Sequence, residues 1–270
     1  MSSRGLELVL PARAENVSVV RHALAGLAEA IEMEPGQVAD LKTVVTEACM
    51  NVVVHAYEED PGPLEVDAYC DDKALVVVVR DQGAGIRPRA DSSRQSLRMG
   101  LPLIAALSTS FAISGAPNRG TEVTMRMNIS ANGSVPAEAG TAGDEAADGA
   151  AMSMPAGELV GPVLSRIISI FAVRANFSVD RLSDAVLLGD AISAQTPSHF
   201  PDGTAHVHVG DEDGAVMVRV GPLLDGGGEE LLGRMRIPEI DASLERLADD
   251  VRVERDDDAE HLVFELKQPS

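Results

Sequence analysis

The sequence predicts an α/β protein, an α+β sandwich, built in two halves. Three observations predict it. Hydrophobic periodicity alternates between strand and helix in a definite order over residues 1–130; much of that order returns over 158–270; and a stretch almost free of large apolar side chains lies between them. That stretch, Ala131 to Gly157, is Ala, Gly and acid. It cannot bury enough surface to offset the entropy of ordering it, so it reads as a flexible acidic linker.

In the first half, LELVLPA (6–12) reads as a strand. A helix follows from about Glu15 to Met33, with Val17, Val20, Leu24, Leu27 and Ile31 on one stripe. The Pro35-Gly36 pair interrupts it, and a second helix runs from about Gln37 to Glu58. Strands near 63–70 and 74–81, a Gly/Pro/Arg/Ser-rich loop over 82–98, a helix at 100–108 and strands near 109–115 and 121–128 complete the half. In the second half, helices fit 158–174 and 179–194, and strands fit 205–209 and 215–220. Helices near 228–234 and 241–249 and strands near 251–255 and 261–266 follow.

Composition narrows the function classes. With 45% apolar residues but only 3% aromatics and no Trp, the cores must be built from Val, Leu, Ile, Ala and Met. The net charge of −21 repels phosphate backbones and anionic lipid heads, which argues against nucleic acid and membrane surfaces as partners. Residues 1–130 carry 12 basic and 17 acidic side chains, whereas 158–270 carry 10 and 22, so a basic partner would be steered to the second half. No apolar run approaches the ~20 residues that cross a bilayer, and MSSRGLELVL has no signal-peptide pattern. Cys49 and Cys70 show no metal or redox spacing and read as small buried hydrophobes. A cytoplasmic location is expected.

Four segments carry chemistry. In TVVTEACMNVVVHAY (43–57), Glu47, Asn51 and His55 are spaced by four, so in a helix they share one face, drifting by about 40° per step. In LVVVVRDQGAGI (75–86), a buried strand ends in Asp81, followed by Gly83 and Gly85. An acid at a strand end can accept a hydrogen bond from an amino group, and glycines let backbone approach a flat ring. RMGLPLI (98–104) places Gly100 at the opening of a helix, whose free N–H groups attract phosphates. GTEVTMRM (120–127) sets Gly120 and Thr121 at the start of the last strand. Each segment alone is common.

Their combination is specific: E-A-x-x-N-x-x-x-H-A-Y, then V-x-D-x-G-x-G-I after a strand, then G-L-P-L-I, then G-T-x-V, all within residues 47–123. It resembles the ATP-binding domain shared by gyrase, a class of heat-shock chaperones, histidine kinases and mismatch-repair proteins, the Bergerat or GHKL fold. The short loop between Gly85 and Gly100, the HAY ending at 55–57 and the NVSVVR opening at 16–21 resemble most closely the anti-sigma-factor serine kinases of the RsbW/SpoIIAB type. The resemblance covers about residues 5–130.

What it implies is concrete. Helices would pack on one face of a mixed, mostly antiparallel sheet, with a degenerate copy of the fold in the second half. Asn51 would hold the Mg²⁺ of Mg-ATP through its amide oxygen, and Glu47 would be the catalytic base toward a Ser or Thr hydroxyl. Asp81 would bind the adenine amino group with Gly83 and Gly85 beneath the ring. Residues 86–99 would form the lid, Gly100 and Leu101 would approach the phosphates, and Thr121 would complete the adenine pocket. His55 would support the helix end, and Arg21 would contact protein partners. The implied protein is a serine/threonine protein kinase acting as an anti-sigma factor. Its partners would be a sigma factor and a STAS-type anti-anti-sigma protein, and it would work as a homodimer or as an intramolecular pseudo-dimer.

The family's first lid glycine is replaced here by Arg98, before Met99-Gly100-Leu101. This departure leaves open a second reading, a non-catalytic ATP-binding module that sequesters a partner. In the second half, Asp190 falls near the place of Glu47, Ala194 stands four residues later where Asn51 would be, and Gly221-Pro222 ends the strand where Asp81 would be. That half is expected to keep the scaffold without binding nucleotide.

Overall fold

The computed structural model describes residues 5–58, 60–71, 74–85, 97–129, 149–195, 200–234, 236–237, 242–243, 247–256 and 259–268. They form two compact units, Met1–Ala137 and Glu138–Ser270. The first runs β1 (Leu6–Pro11), α1 (Asn16–Ala30), α2 (Pro35–His55), β2 (Pro63–Asp71), β3 (Ala74–Asp81), α3 (Leu97–Leu107), β4 (Ser110–Gly115), β5 (Thr121–Asn128). Its strands lie in the order β1-β2-β3-β5-β4, and every pairing is antiparallel. The mostly antiparallel sheet expected from the sequence is thus present, with every pairing among this unit's described strands antiparallel.

Alternation along β2 decides which face is covered. Leu64, Val66, Ala68 and Cys70 are buried on the helix side, while Glu65, Asp67, Tyr69 and Asp71 face away and stay partly exposed. On that outer face Arg80 ion-pairs with Asp67 and Glu122, and Arg126 with Asp71. Neither cysteine is in a disulfide and both are buried; burial pushes the Cys49 thiol up to about 12, so it stays a neutral core side chain.

The α1 stripe packs as its spacing demands, with Val17, Val20, Leu24, Leu27 and Ile31 all buried. The helix ends at a left-handed residue, Glu32 (φ 54°). The Glu32 N–H donates to Glu29 O and the Met33 N–H to Ala28 O, the paired closure that satisfies terminal carbonyls. Pro35 then does not break a helix; it opens α2 at a position where its missing N–H costs nothing.

The second unit runs β6 (Ala150–Pro155), α4 (Val160–Arg174), α5 (Val179–Gln195), β7 (Thr204–Glu212), β8 (Ala215–Leu223), α6 (Gly227–Arg234), β9 (Arg236–Ile237), β10 (Ala242–Ser243), β11 (Asp250–Asp256), β12 (Ala259–Lys267). The order β6-β7-β8-β12-β11 reproduces β1-β2-β3-β5-β4 place for place, with β9 and β10 as an added hairpin.

Two expectations give way here. The linker assigned to Ala131–Gly157 contains β6 at Ala150–Pro155; residues 130–148 lie outside the described residues. Strand AAMSMP escaped notice because its apolar face is made of Ala150, Met152 and Met154, all fully or nearly buried, with no β-branched residue to mark it. Of the helix expected near 241–249, Ala242–Ser243 form β10 and residues 247–249 lead into β11, the Leu247 carbonyl accepting from Arg181, while 241 and 244–246 lie outside the described residues.

The two units agree residue by residue. Asn176 (φ 57°) ends α4 as Glu32 ends α1, with its N–H donating to Val173 O and the Phe177 N–H to Ala172 O. Pro11 and Pro155, Glu32 and Asn176, and Pro35 and Val179 are thus each 144 positions apart. Burial follows the same frame: Leu41, Val44 and Ala48 on α2 match Ala185, Leu188 and Ile192 on α5, all 0% exposed.

This frame corrects the sequence alignment of the halves by one residue. Ala191, not Asp190, stands in the place of Glu47, and Gln195, not Ala194, in that of Asn51. Asp190 is exposed and accepts the Ser165 hydroxyl (2.9 Å), tying α5 to α4. On the strands, Ala215 pairs with Lys267 as Ala74 pairs with Asn128; counted along each strand, Pro222 and Glu260 reach the places of Asp81 and Thr121, but a bulge between Glu260 and Leu262 shifts the register so that Glu260 pairs with Leu223. Glu260 is buried and accepts the Gly228 N–H near the start of α6 (3.0 Å) and two bonds from Arg255. The Gly228 bond, with Arg255 in support, holds its carboxyl below the usual range, so this helix start already holds an anion of the chain's own.

Candidate nucleotide site

A cavity of about 470 Å³ opens in the first unit, walled by α2, the end of β3, α3, β4 and β5. This is within the size range of small-molecule sites. Asn51 and His55 reach it from α2, Asp81, Ala84 and Gly85 from the end of β3, Leu101 from α3, Ile113 from β4 and Thr121 from β5; Ala48, Val52, Val79 and Val123 supply apolar floor. Spacing by four on α2 and the pairing of Asp81 with Thr121 across β3 and β5 are what bring these groups together.

Asp81 is 7% exposed, and one of its oxygens accepts the Gly83 N–H (2.9 Å) in a turn closed by its own side chain. A carboxylate has acceptor capacity beyond one such bond. The turn that follows is held tightly. Ala84 N–H donates to Ala56 O (2.8 Å), Gly120 N–H to Gly83 O (3.1 Å) and Asn118 N–H to Ala84 O (2.9 Å).

These contacts explain the glycines. A Cβ at position 83 would lie 2.1 Å from the Ala56 carbonyl oxygen, and one at 85, where φ is +66°, 2.0 Å from that of Ala116. Gly83 is thus required by the end of α2, a constraint separate from any ring above it. A Cβ at position 120, where φ is +70°, would likewise lie 1.9 Å from Asp81 O.

Glu47 and Gly100 border the cavity without lining it. α3 begins at Leu97, so Gly100 lies a turn inside the helix instead of opening it. Gly100 is buried against α2: a Cβ there would come 2.8 Å from Glu47 Oε2, 3.7 Å from Asn51 Nδ2 and 3.8 Å from Asn51 Oδ1. α3 therefore packs directly on the Glu47-Asn51 face. Residues 86–96, the body of the expected lid, lie outside the described residues, as do the side chains of Arg98 and Met99. Arg21 lies on α1, partly exposed and away from the cavity.

Gly100→Ala follows as a discriminating variant. The clashing atom is the mobile end of Glu47, so the fold should hold with a Tm within about 2 °C of wild type. The carboxylate, pushed off its place, should lower any phosphoryl transfer by tenfold or more. A melting curve paired with a radiolabelled transfer assay separates the two effects.

The sequence reading missed three contributors. Ile113 is a wall residue that β4's alternation could have marked. The Ala56 carbonyl and the Tyr57 hydroxyl are contacts that only the meeting of α2 with the β3 turn reveals.

With that geometry in place, likeness to known proteins defines the class. Residues 10–127 match the histidine kinase-like ATPase domain family. The chain is 28% identical over 135 residues to the anti-sigma F factor of Geobacillus kaustophilus (strain HTA426), covering 46% of this chain and 92% of that protein. It is 35% identical over 78 residues to the serine-protein kinase RsbW of Bacillus thuringiensis (strain Al Hakam), covering 29% of this chain. That match spans about half, 49%, of the kinase's length. No helix among the described residues is long and apolar enough to cross a membrane.

Proposed function

We propose that the chain is an ATP-binding regulator, an anti-sigma factor with serine/threonine kinase activity toward an anti-anti-sigma protein. The observation that carries this reading is the single cavity that gathers Asn51, Asp81, Leu101 and Thr121 while α3 packs on Glu47. The donor set fits Mg-ATP: a buried carboxylate at a strand end suits an adenine amino group, and a neutral amide oxygen suits a hard cation. Gly100 leaves a cradle beside Glu47 and Asn51 that any side chain would fill. When bound, Mg-ATP supplies the transferable phosphoryl group and the charge that neutralises it.

The chain's own residues do the rest. Asp81 holds and selects the base, and Asn51 holds the cation. Glu47, one turn from Asn51, takes the proton of a substrate hydroxyl. The second unit, with Ala191, Gln195, Pro222 and Glu260 at the corresponding places, has neither base nor adenine acceptor and serves as a scaffold or partner-binding half.

Glu47→Ala should abolish phosphate incorporation from labelled ATP into the partner, by 10³-fold or more, while nucleotide affinity changes less than threefold. Incorporation that persists in the variant would remove Glu47 from the role. Arg98 in place of the first lid glycine favours the second reading, an ATP-binding module that sequesters a partner without transfer. Wild-type protein that binds ATP and partner yet transfers nothing would establish it.

A further inference from the structure

The HAY segment that closes α2 meets the turn after β3 at two points. Ala56 O accepts the Ala84 N–H (2.8 Å), and the Tyr57 hydroxyl accepts the Gln82 N–H (2.9 Å) while donating to Pro63 O (2.6 Å). Gln82 follows Asp81 directly, and Pro63 pairs with Pro11 at the start of β2. The phenol thus ties the residue next to Asp81 to the neighbouring strand, and the Gln82 side chain adds a bond to Glu65 on that strand (2.6 Å). Burial is the first cause raising the Tyr57 pKa, with Asp81 and Glu65 adding to it, so the hydroxyl keeps the proton it donates to Pro63. Room for the ring comes from Gly62: a Cβ there would lie 2.3 Å from Tyr57 Cε1.

The geometry points to Tyr57 as a positioning residue for base selection: by fixing Gln82 it sets where the Asp81 carboxylate stands, and so how strongly the site prefers a purine bearing an amino group over one bearing a carbonyl. This rests on the proposed reading of the first unit as an ATP site. Tyr57 does not line the cavity, so it acts through Asp81 and not by touching the base. A hydrogen bond that fixes an acceptor's position is worth a few-fold in affinity, here about fivefold.

The test is calorimetric titration of the full chain with Mg-ATP and with Mg-inosine triphosphate, in wild type and Tyr57→Phe. Wild type should prefer ATP. Tyr57→Phe should weaken ATP binding about fivefold, leave inosine triphosphate nearly unchanged and so shrink the preference. Equal weakening of both nucleotides, or no change in either, would overturn the inference. Gly62→Ala, which displaces the ring from outside the site, should shift the preference the same way and keeps the test decisive if Tyr57→Phe folds poorly. Wild-type protein that binds neither nucleotide would instead overturn the ATP-site reading beneath it.

Discussion

Arg181→Met should unfold the second unit more readily by roughly 3 kcal/mol, lowering its Tm by roughly 10 °C. Arg181 sits at the start of α5 and is 8% exposed. Its guanidinium donates to the carbonyls of Lys267 (3.0 Å) and Leu247 (2.8 Å) and to Asp184 (3.0 Å), and it ion-pairs with Asp249. Asp249 also accepts the Lys267 N–H (2.6 Å). One side chain therefore joins α5 to the start of β11 and the end of β12, and its removal takes a donor from the buried Leu247 carbonyl. Asp184 and Asp249 are themselves partly exposed and can regain water, which keeps the figure at the low end of what breaking a buried pair costs. Hydrogen exchange should accelerate first along 179–195 and 259–267. A change under 1 kcal/mol would mean the staple is surface decoration. Nucleotide binding by the first unit should be unaffected.

Gly83→Ala should damage the first unit as severely and remove nucleotide binding with it. The added methyl would fall 2.1 Å from Ala56 O and 2.6 Å from Ala56 C, backbone atoms at the end of α2 that cannot swing away. Relief requires the turn to part from the helix, breaking the Ala84–Ala56 bond and moving Asp81, at a cost of about 3 kcal/mol. Gly36→Ala is the control: it has nothing within 4 Å and lies in the first turn of α2, so it should be neutral or slightly stabilising. Wild-type-like stability and binding in Gly83→Ala would show that the turn and α2 do not interlock as described.

How much of this was legible in the sequence follows from how local each signal is. The face of Glu47, Asn51 and His55 needs only helical spacing and could be read directly, whereas Thr121 came from the resemblance alone, since its pairing with Asp81 joins strands separated by α3 and β4. Gly83 was assigned to a ring, yet the nearest reason for it is a helix carbonyl about 27 residues earlier in the chain, a contact no local pattern encodes. The sequence reading opens α3 at Gly100, yet the helix starts at Leu97 and carries Pro102 inside. The second half was misaligned by one residue because the frame is set by the left-handed closures at Glu32 and Asn176, residues of unlike chemistry that share only a backbone angle. β6 was hidden because small residues and methionines can form a buried strand face without carrying strand propensity.

The measurement that tests the central claim most directly is calorimetric titration of Mg-ATP and Mg-ADP into the whole chain, beside Asp81→Asn. The account predicts one saturable site per chain in the wild type and, for a folded variant lacking the carboxylate, affinity lower by a hundredfold or more. No heat from well-folded wild-type protein, or equal affinity in Asp81→Asn, would contradict it.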